Sequence, residues 1–185
     1  MPDGADEDAL VARVAARDAQ AFRVLVDANA TALHRLAYRM LGDSAAAEDV
    51  AQEALLRLWE HASRWEGKGV GARAWLKRVA TNLCLDRLRR ARFVSGEEVP
   101  ERADDSPLAD ARIDEDRMAR MTRQAIGALP DRQRAAIVLT YYEELSNLDA
   151  AAALDMNIKA FESLLLRARG ALKRTLAGNG WEAAA

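Results

Sequence analysis

Apolar residues recur at helical spacing along most of the chain, and that spacing predicts a series of amphipathic helices rather than strands. Asp6-Glu7-Asp8 opens the first, with carboxylates at the positive end of the helix dipole, and Leu10, Val11 and Val14 give it an apolar stripe. A second run from Ala19 places Phe22, Leu25 and Val26 on one side and is expected to break near Asn29. The next, Leu33 to Leu41, carries Leu36, Ala37, Met40 and Leu41, with Tyr38 nearby. Gly42-Asp43-Ser44 stops it, with glycine just past the end and a capping residue beyond. From Ser44 to Arg64 a single strong helix repeats Val50, Ala54, Leu55, Leu58 and Ala62 on its inner face. After a loop over Trp65-Glu66-Gly67-Lys68-Gly69-Val70-Gly71, a helix from Ala72 to Arg92 packs through Ala72, Trp75, Leu76, Val79, Ala80 and Leu83.

The pattern then fails. From Val94 to about Asp116 acidic residues crowd together, apolar ones are few, and Pro100 and Pro107 interrupt any helix, so the stretch reads as a flexible acidic linker. Periodicity resumes near Arg117 with Met118, Met121 and Ala125 in a helix ending near Leu129. Pro130 takes a first-turn position, followed by Ile137, Val138, Tyr141 and Tyr142. Ser146 caps a short helix through Leu154. A turn at Asp155-Met156-Asn157, with Asn157 as N-cap, leads into a longer helix from Ile158 to Leu176. Two helices joined by a tight turn, the second carrying Arg167, Arg169, Lys173 and Arg174, make a helix-turn-helix layout. The expected fold is therefore all-α: a helical domain over 1–93, the acidic linker over 94–116, a helix-turn-helix domain over 117–177 and a tail over 178–185.

Composition sharpens this picture. Half of the 185 residues are hydrophobic, so each domain can build a core, and the sparse β-branched and aromatic residues favour helix. The formal net charge of −2 excludes a polycation that coats nucleic acid, and any grip on DNA must come from local patches or from a partner. The lone cysteine, Cys84, makes no intrachain disulfide, and no Cys/His cluster suits a metal. No cofactor is implied. No signal peptide or membrane-length apolar run is apparent, so a soluble cytoplasmic protein is expected.

Two polar faces carry candidate chemistry. The 72–92 helix presents Arg73, Lys77, Arg78, Arg87, Arg89, Arg90 and Arg92 against a single opposing Asp86, with Asn82 on the face of Arg78 and Arg89. Guanidinium groups with an amide among them suit phosphate binding together with base reading, although a solvated basic face on an ordinary bundle helix has the same pattern. On the 44–64 helix, Asp49, Gln52, Glu53, Leu56 and Glu60 form an acidic stripe with an embedded leucine. Such stripes are commonly just solvated, but this one is better suited to docking on a basic partner helix. The glycine-rich loop lacks the spacing and the Lys-Ser/Thr of a phosphate-binding loop.

The two halves together resemble the extracytoplasmic-function (ECF) class of bacterial RNA polymerase sigma factors. The matching residues in the first half are Leu36 to Asp43, Ala47 to Glu53, Trp75-Leu76 and Asn82 to Arg90. In the second half they are Leu129 to Arg134, Arg167-Ala168-Arg169 and Leu172. The resemblance implies that the first domain, sigma region 2, docks on the β′ clamp helices of core RNA polymerase through Asp49, Gln52, Glu53 and Leu56. It implies that the same domain melts and reads the −10 promoter element with Arg73, Lys77, Arg78, Asn82, Arg87, Arg89 and Arg90. Extruded bases need pockets and edge hydrogen bonds, and the glycine-rich loop is placed for one. Trp75 is a possible stacking platform in that scheme, but its phase on the apolar face favours core packing. The second domain resembles region 4, expected to engage the β flap and to read the −35 element through Asn157, Lys159, Ala160, Ser163 and Arg167. Glu162, Leu164 and Leu166 stand where basic or polar residues are usual. An anti-sigma factor is a further partner implied by the class.

A stand-alone helix-turn-helix regulator accounts for Ser146 to Arg169 but leaves the basic helix and the Asp49/Gln52/Glu53 face without a purpose. An enzyme is disfavoured: His34 and His61 lie on unrelated helices, and Cys84 follows the core pattern.

Overall fold

A computed structural model describes residues 4–65, 71–95 and 113–178. The first domain is built from α1 (Gly4–Ala15), α2 (Ala19–Leu41), α3 (Ser44–His61), a 3-10 turn at Ala62–Arg64 and α4 (Ala72–Ser95). The second is built from α5 (Ile113–Gly127), α6 (Asp131–Ile137), α7 (Asn147–Ala153) and α8 (Ile158–Gly178). A π-helical turn at Val138–Tyr142 follows α6 directly. No strand occurs among the described residues. The glycine-rich stretch 66–70 and most of the acidic linker, 96–112, lie outside them, so the pocket expected of that loop is not described.

Capping explains where the helices start. The Asp18 carboxylate accepts from the backbone N–H of Gln20 and Ala21 at 2.9 and 3.1 Å. The bond from Ala21, with Arg13 second, holds its pKa below the usual carboxylate value. Asp43 accepts from Ala46 N–H at 2.8 Å, Ser146 from Asp149 N–H at 3.1 Å, and Asn157 from Ala160 N–H at 2.9 Å. Gly42, at φ 71, ends α2 in the left-handed conformation and donates to Tyr38 O, a geometry that favours a residue without Cβ. Pro130 proves to be the N-cap of α6, one place before the first turn.

Helix α2 does not break at Asn29. That side chain is buried, and its Nδ2 donates to Leu25 O at 2.8 Å, so the amide is satisfied inside one continuous helix. The first core gathers Val11, Val14, Leu25, Leu36, Met40, Val50, Leu58 and Leu76. Helix α3 packs on α2, and α4 lies across both. In the second domain α8 packs on α6, burying Phe161, Leu165 and Ala168 with Ala135 and Ile137, whereas Met118, placed on the inner face by its spacing, is 43% exposed. The helix-turn-helix turn needs no glycine, because Asp155 takes the left-handed conformation at φ 51.

The two domains touch. Helix α2 contacts α5, α6 and the π turn, and α4 contacts α6 and α7.

Candidate docking and nucleic-acid faces

The acidic face of α3 follows from its helical phase. Val50, Ala54, Leu55 and Leu58 are consumed by the core, which leaves the flank outside. Asp49, Gln52 and Glu60 are exposed, Glu53 is partly so, and Leu56 is 51% exposed. The polar groups are held lightly by their own helix and by α4. Gln52 Nε2 donates to Glu48 at 3.1 Å, Arg57 Nε donates to Glu53 at 2.9 Å, and Arg87 reaches Asp49 at 3.4 Å. An exposed leucine ringed by weakly committed carboxylates can accept a cationic helix without unmaking any core contact.

Helix α4 divides its cations between four directions. Its buried positions, Ala72, Leu76, Ala80, Leu83 and Cys84, fix the phase. Trp75 is half-buried, edge-on to Trp65 with ring centroids 5.9 Å apart and 6.3 Å from His61, which makes it part of the packing. Arg73 turns toward α1, where the buried Glu7 carboxylate accepts from Arg73 N–H at 3.3 Å and lies 3.4 Å from its guanidinium. Arg87 turns toward α3, donating to Ala46 O at 3.2 Å as well as reaching Asp49. Lys77 and Arg78 turn toward the second domain, onto Glu143 and Asp155. Arg89 and Arg90 are exposed on the outer surface and Asn82 is half-buried, with Arg89 bonded at 2.9 Å to Asp86 of its own helix. The seven cationic and amide candidates are therefore brought to one helix but not to one surface.

Burial pushes the Cys84 thiol up to about 12, with Arg87 opposing the shift. It is a packing residue without nucleophilic character.

In the second domain the start of α8 is open. Asn157, Lys159 and Ser163 are exposed, Ala160 is half-buried, and Arg167 is exposed with its Nε donating back to Ser163 O. Leu164 is 7% exposed and belongs to the core, so it does not stand among outward-facing positions as its place in the sequence suggested. Glu162 is exposed and Leu166 is 69% exposed, so those two remain on the open surface.

Sequence reasoning missed one group altogether. Glu143 has a side chain only 7% exposed, yet its carboxylate lies 3.0 Å from Lys77 Nζ and 4.0 Å from Arg39. Beside it Arg39 sits over the Tyr142 ring at 4.4 Å. Arg134 crosses the same seam, donating to Met40 O at the end of α2 and to Gly127 O and Leu129 O of its own domain. Desolvation, reinforced by Arg92, lowers its pKa. Residues 66 positions apart meet here, and no local signal announces them.

Residues 25–94 match the family Sigma-70 region 2, and residues 119–172 match Sigma-70, region 4. The chain is 36% identical over 172 residues to the ECF RNA polymerase sigma factor SigL of Mycobacterium tuberculosis, covering 91% of this chain and 96% of that protein. It is 31% identical over 170 residues to the ECF RNA polymerase sigma factor SigW of Bacillus subtilis, covering 86% and 90%. Among solved structures it is similar to CnrH in complex with the cytosolic domain of CnrY, with TM-score 0.69, 27% identity, and coverage of 95% of this chain and 99% of that one. RpoE in complex with the anti-sigma factor NepR from Bartonella quintana shares the fold, with TM-score 0.68 at 24% identity and coverage of 84% and 96%.

Proposed function

From the premise that this chain belongs to the ECF sigma factors of bacterial RNA polymerase, a promoter-specificity subunit and not a stand-alone regulator, we propose how its faces divide the work. Asp49, Gln52, Glu53 and Leu56 on α3 dock the β′ clamp helices of the core enzyme. The second domain engages the β flap. The observation that carries this reading is the α3 face itself: a half-exposed leucine among carboxylates whose other partners are weak and exposed. A basic helix can replace those partners with little loss.

Asn82, Arg89 and Arg90 provide the outward DNA face of α4, joined by Lys77 and Arg78 once these leave the second domain. Arginines there bind phosphate and hold register, while the Asn82 amide reads a base edge after the duplex opens. Arg73 is held by Glu7 at the start of α4, and Arg87 is held against α3 by Ala46 O and Asp49, so both lie away from the outward DNA face. In the second domain Asn157, Lys159, Ala160, Ser163 and Arg167 approach the −35 element, with the N-terminal residues of α8 nearest the bases. The work is recognition and strand opening, and it calls for no cofactor. The chain has an anti-sigma factor as a partner, a proposal supported by the NepR complex of a protein with this fold. No helix among the described residues is long and apolar enough to cross a membrane.

The test is Asn82→Ala in a reconstituted holoenzyme. Promoter opening, followed by permanganate reactivity of unpaired thymines, is expected to fall by about tenfold or more while duplex binding changes little. Equal loss at both steps removes the base-reading role.

A further inference from the structure

Resting on the assignment of α8 to the −35 element, we infer that Glu162 and Leu166 set the sequence this helix selects: the carboxylate accepts from the N4 amine of a cytosine, and the leucine covers the 5-methyl group of a thymine close by. The phase of α8 puts both side chains on its outward stripe. Phe161, Leu164, Leu165 and Ala168 are buried, so the opposite side of the helix is Lys159, Glu162, Ser163, Leu166 and Arg167, at i, i+3, i+4, i+7 and i+8, and all five are exposed. Arg169 is not part of this stripe, because its guanidinium lies over the Tyr141 ring at 5.5 Å. The surface offered to DNA therefore holds two cations, a hydroxyl, a carboxylate and a leucine.

The fold itself makes no use of the two central residues. Glu162 has no hydrogen bond or ion pair among the described residues, although Lys159 stands three positions before it. It is the fifth residue of α8, past the first turn in which a helix dipole favours a carboxylate. The Ser163 hydroxyl donates to Lys159 O at 3.0 Å and Arg167 Nε to Ser163 O at 3.2 Å, so the uncommitted acceptor in the middle of the stripe is Glu162. Leu166 is 69% exposed, while its neighbour Leu165 is buried at 2%. Against phosphates a carboxylate only repels. Against base edges in the major groove it has one good partner, the cytosine amine. Guanine and thymine present acceptors there, and adenine sets its N7 acceptor beside its amine, which repels the second carboxylate oxygen. A leucine finds its counterpart in thymine, whose methyl is the apolar group on that edge. Four residues of helix span about 6 Å, less than two base-pair steps, so the two contacts fall on adjacent or next-adjacent pairs. Lys159 and Arg167, about 12 Å apart along the axis, bracket the pair and offset its repulsion from the phosphates.

The experiment sequences the promoters bound by holoenzyme, reconstituted from the full chain and core RNA polymerase, out of a library with a fixed −10 element and a randomised −35 window. Wild type is expected to prefer cytosine by about tenfold at one position of the window, with thymine favoured within two pairs of it. Glu162→Gln is expected to move the preference at that position to adenine, because an amide bonds both N6 and N7, while the rest of the window keeps its preferences. Leu166→Ala is expected to erase the advantage of that thymine over uracil, about threefold in wild type, on a duplex synthesised with either base. Both side chains are exposed, so the variants should melt with wild type. A Glu162→Gln gain of equal size on every sequence makes the carboxylate only a repelling charge and overturns the inference. So does an unchanged cytosine preference in that variant, or a uracil effect that persists in Leu166→Ala. A wild-type holoenzyme with no preference anywhere in the window removes the −35 assignment itself, and the inference with it.

Discussion

Replacing both Asp49 and Glu53 with lysine separates docking from folding, because the two carboxylates matter little to their own domain. Glu53 is paired with Arg57 at 2.9 Å, with side chains 43% and 40% exposed, and Asp49 with Arg87 at 3.4 Å, at 67% and 36%. Pairs of that exposure contribute about 0.2–1 kcal/mol each, and the new like-charge contacts with Arg57 and Arg87 cost a few tenths more. Arg87 keeps its bond to Ala46 O. The domain should lose about 1 kcal/mol, equivalent to about 4–8 °C in Tm for its size. Placing two cations against a basic docking helix costs several kcal/mol, or at least about a hundredfold in affinity. Circular dichroism melts would read the first quantity, and fluorescence anisotropy of the labelled chain titrated with core enzyme the second. Core binding within about threefold of wild type by a folded double variant would refute the docking face. Loss of binding matched by loss of helicity would refute the claim that these residues are peripheral to folding.

Phe161→Ala removes a side chain that is 0% exposed at the start of α8, a change worth about 3–5 kcal/mol. The second domain is expected to melt separately and early, with −35-dependent transcription lost and core binding through α3 retained; a Tm unchanged within 2 °C, by the same size scaling, would contradict that core. Cys84 is expected to resist thiol reagents in the native protein and to react at once in denaturant. Its thiol is raised from 9.0 to about 12 in the fold, so above pH 9 the unfolded chain loses a proton that the native state keeps. Its contribution to stability is therefore intact below pH 9 and falls away as pH rises toward 12, a loss that Cys84→Ala should abolish in pH-dependent melts.

The elements were largely legible in the sequence because most core positions repeat at helical spacing and α2, α3, α7 and α8 start at a capping side chain. Val50, Ala54, Leu55 and Leu58 read correctly as an inner face, and Ser146 and Asn157 as caps. The errors have physical causes. Asn29 looked like a breaker because asparagine competes for backbone bonds, but here it competes inside the helix, bonding Leu25 O. Leu164 looked like an outward position in the reading helix, but a shift of one residue on α8 rotates a side chain by about 100°, into the core that Phe161 begins. The candidate faces were legible as helices and not as surfaces. Nothing near Lys77 indicates Glu143, nor does anything near Arg73 indicate Glu7, because contacts between distant segments leave no trace in local periodicity.

The most direct measurement is a promoter gel shift with the purified chain at low salt, with and without core RNA polymerase. The account predicts no promoter-specific complex from the chain alone, and a heparin-resistant, transcriptionally competent complex when core enzyme is present. A specific complex formed equally well without core enzyme, or core enzyme that ignores the chain, would contradict it.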